Sequence, residues 1–396
     1  MGPGRRVAES ERSWMRPVLR AGPRRRAWVA LPPESSLVDY GGPKKASLRI
    51  ASVAAAFPEN HYPQDELVAL LGQQWGGSPQ ALARLEALNG RTGVASRHLA
   101  LPKEDYGKIR GFSARNKEYV RIATELGAQA LSKALAEAEI DPAQLGHLFF
   151  VSVTGIATPS IDARLVNRLG LNPQLCRTPI FGLGCVAGAA GLARAADWAK
   201  AYPHRCVALL AVELCSLTWQ DDDLSVPNLI ASSLFGDGAA AVVIAGSDLP
   251  ARGPRIVASR SVFYPGTEQV MGWDIGSQGL RIVLSAGVPE LVRRHVPADV
   301  DRFLADQGLS RADVQHWIMH TGGPKVLEAF AECLGLSERA LEFSWNQLRT
   351  NGNLSSASVL MVLGDVWRER RPASGERALL MAMGPGFCSE MVLLEW

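Results

Sequence analysis

Gly146-His147-Leu148-Phe149-Phe150 runs on to Thr154-Gly155, and Gln315-His316-Trp317-Ile318-Met319 runs on to Thr321-Gly322. Each is a short apolar strand pattern that stops at a Thr-Gly turn. A second echo links Gly236-Asp237-Gly238, ahead of the apolar run Ala239 to Ala245, with Gly384-Pro385-Gly386, ahead of Met391-Val392-Leu393-Leu394. Each match is weak alone. Together, in the same order, they point to two α/β halves of similar build packed as one unit. Outward from these stretches, strand patterns (Leu48 to Ala55, Cys206 to Val212, Ile256 to Phe263, Ala378 to Met383) alternate with helical ones (Asn116 to Glu139, Val288 to Gln307, Pro324 to Leu334, Ser355 to Arg370). That alternation predicts mixed or mainly parallel sheets covered on both faces.

Composition narrows the function classes. The chain has 396 residues, 47% hydrophobic and 20% charged, which excludes a disordered chain or a fibrous rod. No apolar run approaches the roughly 18 residues that a membrane span needs. The net charge of +3 is too small to imply nucleic-acid binding. Most of the excess lies at the N-terminus, where within residues 1–26 Arg5, Arg6, Arg12, Arg16, Arg20, Arg24, Arg25 and Arg26 face only Glu9 and Glu11. Rich in Arg and Pro and lacking apolar period, 1–46 reads as a disordered extension. Six cysteines without a CxxC pair are neither a disulfide framework nor a zinc cluster, so a reducing, cytoplasmic setting is expected.

Three residues could carry chemistry. Cys185 stands in Phe181-Gly-Leu-Gly-Cys-Val-Ala-Gly-Ala-Ala-Gly191, after a glycine-rich turn and at a helix start, where backbone N–H groups and the dipole favour a thiolate. The bland alternative is a buried inert thiol. His320 ends an apolar strand before Thr-Gly-Gly-Pro324, the place where open α/β sheets put their sites; it could equally be a satisfied core histidine. His316 and His320 have the spacing of a zinc pair, but on a strand they lie about 13 Å apart and cannot share a metal. Asn353, in Asn351-Gly-Asn-Leu-Ser-Ser-Ala357, could be turn chemistry or a donor aimed at an oxyanion. Gly182, Gly184 and Gly188 do not make a nucleotide loop. As a set, a Cys nucleophile, a His partner and an Asn donor suit carbanion chemistry on a thioester.

This constellation resembles the thiolase-like condensing enzymes, and among them the type III polyketide synthases, the chalcone-synthase-like family. The likeness spans about Leu48 to Trp396 and rests on five segments in family order: Gly184-Cys185-Val-Ala-Gly188, Leu234-Phe235-Gly236-Asp237-Gly238, His320-Thr-Gly-Gly-Pro324, Gly352-Asn353-Leu-Ser-Ser-Ala357 and Gly384-Pro385-Gly386-Phe387. It implies a thiolase-like fold of two α/β halves in a layered αβαβα core, divided as 47–250 with the nucleophile and 251–396 with His and Asn. It implies that Cys185 takes an acyl group from acyl-CoA, paired as a thiolate with His320. His320 and Asn353 then hold the malonyl-CoA thioester oxygen while decarboxylation makes the nucleophile for a Claisen condensation. CoA thioesters are the substrates, and no redox cofactor or metal is implied. Phe235 is the implied gatekeeper between CoA tunnel and pocket. Arg84, Arg91 and Lys325 are implied for CoA phosphates, with Ala87 where a third basic residue is usual.

The pocket departs from the plant pattern. Thr218 is retained, with Cys215 on the same segment and Ser355 beside Asn353. Ile282 replaces a second gatekeeper Phe, Trp273 a small Gly, and Thr158 a Met that crosses the dimer interface in plant enzymes. These departures point to a bacterial member, and the contexts Glu213-Leu-Cys-Ser-Leu-Thr218 and Met271-Gly-Trp273 resemble bacterial alkylpyrone or alkylresorcinol synthases. A homodimer is implied by the family alone. Two alternatives are weighed. A KAS III-type ketoacyl synthase uses the same triad with an acyl-carrier protein, but usually carries His-Gln-Ala-Asn where His320-Thr-Gly-Gly stands here. A non-enzymatic scaffold is disfavoured by the intact triad.

Overall fold

The main sheet of the computed structural model has ten strands. Nine lie along one path: β1 (Arg49–Ala56), β2 (Leu145–Val151), β3 (Cys176–Ile180), β4 (Cys206–Leu214), β5 (Asp237–Ala245), β6 (Arg255–Phe263), β7 (His316–Met319), β8 (Arg377–Gly384) and β9 (Cys388–Glu395). The tenth, Val38–Asp39, pairs with β6. The structure describes residues 38–39, 48–74, 79–220 and 223–396. Apart from that two-residue strand, the extension expected over 1–46 lies outside the described residues.

The strand order is β7-β8-β9-β6-β1-β5-β4-β2-β3. Within 49–245, β1, β5 and β4 are antiparallel neighbours, and β2 and β3 continue parallel to β4. Within 255–395, β6, β9 and β8 are antiparallel neighbours, and β7 is parallel to β8. The second arrangement repeats the first without a counterpart of β3. The two sheets meet at β1 and β6 through the single pair Arg49↔Arg255. The echoes in the sequence are therefore echoes in topology.

Strand alternation builds the layers. In β5, Ala240, Val242 and Ile244 face one cluster of buried side chains while Ala239, Ala241 and Val243 face another. In β8, Ala378, Leu380 and Ala382 face the first cluster and Leu379, Met381 and Met383 a third. A two-residue period with apolar side chains on both faces is the pattern of a strand buried on both sides. The shared middle cluster holds the helices Ala187–Ala201 and Ser358–Asp365. Gly111–Glu137 covers the outside of the first sheet; Val288–Ala305 and Pro324–Leu334 cover the second. This is the layered α/β arrangement expected.

One local expectation is corrected. Ser355 to Arg370 is not one helix: a 3-10 turn at Ser355–Ala357, an α-helix at Ser358–Asp365 and a π turn at Val366–Arg370 follow one another. The change falls where buried Ser358 to Gly364 give way to the charged Arg368-Glu369-Arg370. An unforeseen hairpin, Met271–Gly276 with Gly279–Leu284, pairs Trp273 directly with Ile282.

Candidate active site

Cys185 sits in a 3-10 turn, Gly184–Val186, that runs straight into the helix Ala187–Ala201. Two glycines make that turn possible. Gly184 has φ +55°, and a Cβ there would stand 2.7 Å from Pro385 Cδ. A Cβ on Gly188 would stand 2.2 Å from the Ser356 carbonyl oxygen. Small residues therefore let the Cys185 turn pack directly against the Asn353 turn of the other half. Cys185 Sγ lies 3.6 Å from Ser355 Oγ, to which it donates.

His320 follows β7. Its backbone N–H donates to Met381 O at 3.0 Å and its carbonyl accepts from Gly322 N at 2.9 Å, which fixes the ring at the strand end. Both ring nitrogens are buried and have no partner among the described residues. Asn353 is held by its backbone: its N–H donates to Leu234 O at 2.9 Å, and its carbonyl accepts from Gly236 N at 3.0 Å. These two bonds bracket Phe235. The Asn353 side-chain oxygen accepts from Ser355 N at 2.8 Å, which turns the amino group the other way.

These groups line one cavity of about 450 Å³. Cys185, His320, Asn353, Ser355, Phe235 and Cys215 surround its reactive end, and Trp273 and Ile282 form a wall from the hairpin. Arg91 and Lys325 line it too; Lys325 opens the helix Pro324–Leu334. The Arg84 side chain lies outside the described residues. Thr218 is not on this cavity. Its hydroxyl donates to Cys215 O at 2.7 Å, and it lines an adjoining hollow of about 10 Å³, room for about one water. Thr154 lines both spaces. Thr158 is exposed and lines neither.

Burial dominates the electrostatics. The Cys185 thiol is pushed up to about 12, first by desolvation and further by the Glu213 charge, against a lowering by Ser355. Desolvation alone lowers His320 to about 4. Each group by itself is thus neutral at pH 7. A thiolate–imidazolium pair forms only where each charge offsets the cost of burying the other.

Two site residues escape the sequence reading. Glu213 is fully buried in β4. It accepts from Val153 N at 3.1 Å and Thr154 Oγ1 at 2.9 Å in its own half, and from Ser356 Oγ in the other. Desolvation raises its carboxyl to about 7 despite those donors. An acid inside Ala211-Val212-Glu213-Leu214 was the available signal, since buried charges persist only where partners hold them. Arg97, also fully buried, binds the carbonyl of Phe235; nothing in its exposed-looking context, Ser96-Arg97-His98, marked it.

Comparison with known proteins identifies the assembly. Residues 43–249 match the model of the N-terminal domain of chalcone and stilbene synthases, and residues 255–396 that of the C-terminal domain. The chain is a type III polyketide synthase of that family. It is 46% identical over 350 residues to a 1,3,6,8-tetrahydroxynaphthalene synthase of Streptomyces peucetius subsp. caesius, covering 88% of this chain and 93% of the relative. It is 33% identical to a 3,5-dihydroxyphenylacetyl-CoA synthase of Amycolatopsis orientalis, covering 88% and 93%. The crystal structure of 1,3,6,8-tetrahydroxynaphthalene synthase from Streptomyces coelicolor superposes with a TM-score of 0.83 at 33% identity, over 88% of this chain and 99% of that one. This synthase is accordingly an acyltransferase that makes polyketides, with the thiolase-like fold, and the ketoacyl synthase alternative is not favoured.

Proposed function

We propose that this synthase loads an acyl-CoA starter onto Cys185 and extends it iteratively with malonyl-CoA, using His320 and Asn353 as the two donors of the decarboxylation step. The observation that carries this reading is the single cavity in which Cys185 meets two unsatisfied or outward-turned donor groups from the opposite half. Malonyl-CoA enters with its thioester oxygen toward His320 and Asn353. Loss of CO2 leaves electron density on that oxygen, where two donors in a desolvated site have their greatest effect. The carbon attacks the Cys185 thioester, Cys185 Sγ leaves, and the lengthened chain on CoA returns to the thiol. Phe235, held between the two Asn353 backbone bonds, separates the CoA arm from the pocket, and Arg91, Lys325 and Arg84 meet the CoA phosphates. Met271, Trp273, Ile282 and Cys215 bound the space in which the chain cyclises to a pyrone or a phenol.

The chain divides functionally at about residue 250, and 1–46 are an extension outside the catalytic unit. The working form is a homodimer: β3 is the terminal strand of the sheet, and Ile156, Phe181 and Phe263 are exposed apolar side chains 42–55% accessible. Light scattering at micromolar concentration checks this, with a monomer mass the contrary result. The setting is cytoplasmic; no helix among the described residues is long and apolar enough to cross a membrane.

The deciding experiment supplies malonyl-CoA and starters from acetyl through long fatty acyl to aromatic, without carrier protein, and identifies products by mass spectrometry. Tri- to pentaketide pyrones or phenols, absent with Cys185→Ala, support the reading and name the starter class. Condensation only with malonyl-carrier protein overturns it.

A further inference from the structure

Buried arginines are normally paired with carboxylates. Arg97 is 0% exposed, yet none of its hydrogen bonds goes to a carboxylate. Its Nε donates to Gln64 Oε1 at 2.8 Å, and its Nη1 to Ser232 O at 2.8 Å and Phe235 O at 2.6 Å. Nη2 has no partner. Burial lowers the guanidinium to about 10, with the Asp237 charge as the main opposing influence, so it stays cationic at neutral pH. A buried cation with an unsatisfied N–H is expensive, and such a group calls for an explanation.

Its partners supply one. Ser232 and Phe235 lie at the end of the helix Val226–Leu234, where carbonyls lack intrahelical donors and the helix dipole is negative. Gln64 Nε2 takes Ser233 O at 2.6 Å, and Asn353 N takes Leu234 O at 2.9 Å. Every carbonyl from Ser232 to Phe235 therefore has a donor, and Arg97 supplies two of them. Its stem also packs on the Asn353 turn: a Cβ on Gly352 would lie 3.1 Å from Arg97 Cδ. The small sheet carrying Arg97 (Ser96–Leu99 paired with Asn60–Pro63) is itself pinned beside that turn, by Ala95 N to Arg349 O at 2.7 Å and Ser96 Oγ to Thr350 O at 2.9 Å. Two carbonyls and an amide oxygen reached from one planar fork is a task for Arg and not for Lys.

We propose that Arg97 is a positioning residue for the condensation, bolting the Phe235 turn and the Asn353 turn together so that gatekeeper and oxyanion donor keep one geometry through successive extensions. The proposal rests on the roles given above to Phe235 and Asn353. Arg97 touches no substrate. Its loss shows as early release of short chains at lowered kcat, while KM for the starter and the reactivity of the Cys185 thiol hold.

The test compares Arg97→Lys, Gln64→Leu and Phe235→Leu, with the Arg97→Lys/Phe235→Leu double variant. Readouts are kcat and KM for starter and malonyl-CoA, product chain length by mass spectrometry, and the iodoacetamide rate at Cys185. Arg97→Lys is expected to lower kcat about 10- to 100-fold and shift products toward triketides, with the alkylation rate within about threefold of wild type. Gln64→Leu, which loosens the same helix end from the other side, shifts products the same way but less, and carries the test if Arg97→Lys does not fold. In the Phe235→Leu background the shift in chain length collapses. Normal chain lengths from both folded variants overturn the proposal. So does a kcat loss matched by an equal change in thiol alkylation, which marks a general disturbance of the site. If Phe235→Leu alone leaves products unchanged while Arg97→Lys still lowers kcat, the gatekeeper role fails and Arg97 acts through Asn353.

Discussion

The turn after β2 and the turn after β7 hold the same place in the two halves, and both run into Thr-Gly. After β2 everything is satisfied: Thr154 Oγ1 donates to Glu213 and accepts from Leu214 N. After β7 the side chains are not: His320 Nδ1 and Nε2 and Thr321 Oγ1 are buried without partners among the described residues. The helix starts differ in a parallel way. One offers a thiol, Cys185, and the other an amide, Asn353, with Ser355 between them. A repeated frame has thus been loaded asymmetrically. One half presents the Cys185 thiol and closes Thr154 on a buried carboxylate. The other leaves the His320 ring open toward the cavity. Buried unsatisfied groups are costly, so the unpartnered His320 ring on the cavity wall calls for an explanation, and the proposed function supplies one in the substrate oxygens.

The sharpest way to break this division is to silence one half at a time. Cys185→Ala is expected to abolish polyketide formation, by about a thousandfold or more, while malonyl-CoA decarboxylation continues. Asn353→Ala is expected to lower decarboxylation about 10²- to 10³-fold, the usual loss for one oxyanion donor, while Cys185 is alkylated near the wild-type rate. Carbon dioxide release and iodoacetamide labelling measure the two separately. Decarboxylation at wild-type rate in Asn353→Ala would mean that the halves do not divide the chemistry.

The next effect concerns the contact between halves. Burial pushes the Cys185 thiol up to about 12 and His320 down to about 4, so under the proposed roles a thiolate at pH 7 requires an imidazolium to offset it. The pH midpoint of Cys185 alkylation is expected below 9 in the wild type. In His320→Gln it climbs toward the burial-raised value, and alkylation at pH 7 drops about a hundredfold, following the thiolate fraction. An unchanged midpoint would remove His320 from thiol activation.

Much of this was legible in the letters, and the gaps have physical reasons. Strands buried on both faces, such as Ala239 to Ala245, announce themselves as continuous apolar runs, and Pro324–Leu334 was bounded by its own proline and glycine. The edge strand Cys176–Ile180, half exposed and carrying Arg177 and Pro179, has neither signal. The hairpin strand Met271–Gly276 lies entirely among half-buried and exposed residues, so its period is blurred. Cys185, His320 and Asn353 stood out because glycine-rich turns surround them. Arg97 and Glu213 did not, since what makes them matter is which distant backbone groups they reach, and a one-dimensional pattern carries no such pairing.

The hairpin offers a smaller, specific effect. Trp273 and Ile282 are direct cross-strand partners on the cavity wall. Trp273→Gly is expected to raise kcat/KM for bulkier starters relative to acetyl-CoA by about tenfold, and Ile282→Phe to lower it similarly, in the range that apolar pocket contacts discriminate. Decarboxylation stays put in both. A starter profile identical to wild type would take the hairpin out of substrate selection.

The smallest effect tests the strut between the halves. Glu213 accepts from Val153 and Thr154 on one side and Ser356 on the other, and desolvation raises its carboxyl from 4.5 to about 7. Between those values the folded protein holds more of this proton than the unfolded chain does. The stabilising contribution is therefore complete below about pH 4.5 and is lost as pH rises through 7, a change of about 3 kcal/mol from this one group. Glu213→Gln has no such proton to release. The melting temperature of the wild type minus that of Glu213→Gln should consequently fall by a few degrees from pH 5 to pH 7.5, whatever its absolute sign. The sign carries separate information. Gln keeps one acceptor oxygen but brings two N–H donors where the neutral acid has a single proton that a hydroxyl can accept, so at pH 5 the variant should melt lower. A temperature difference independent of pH would show that Glu213 is ionised throughout. The tie across the halves would then be held by charge and its three donors alone.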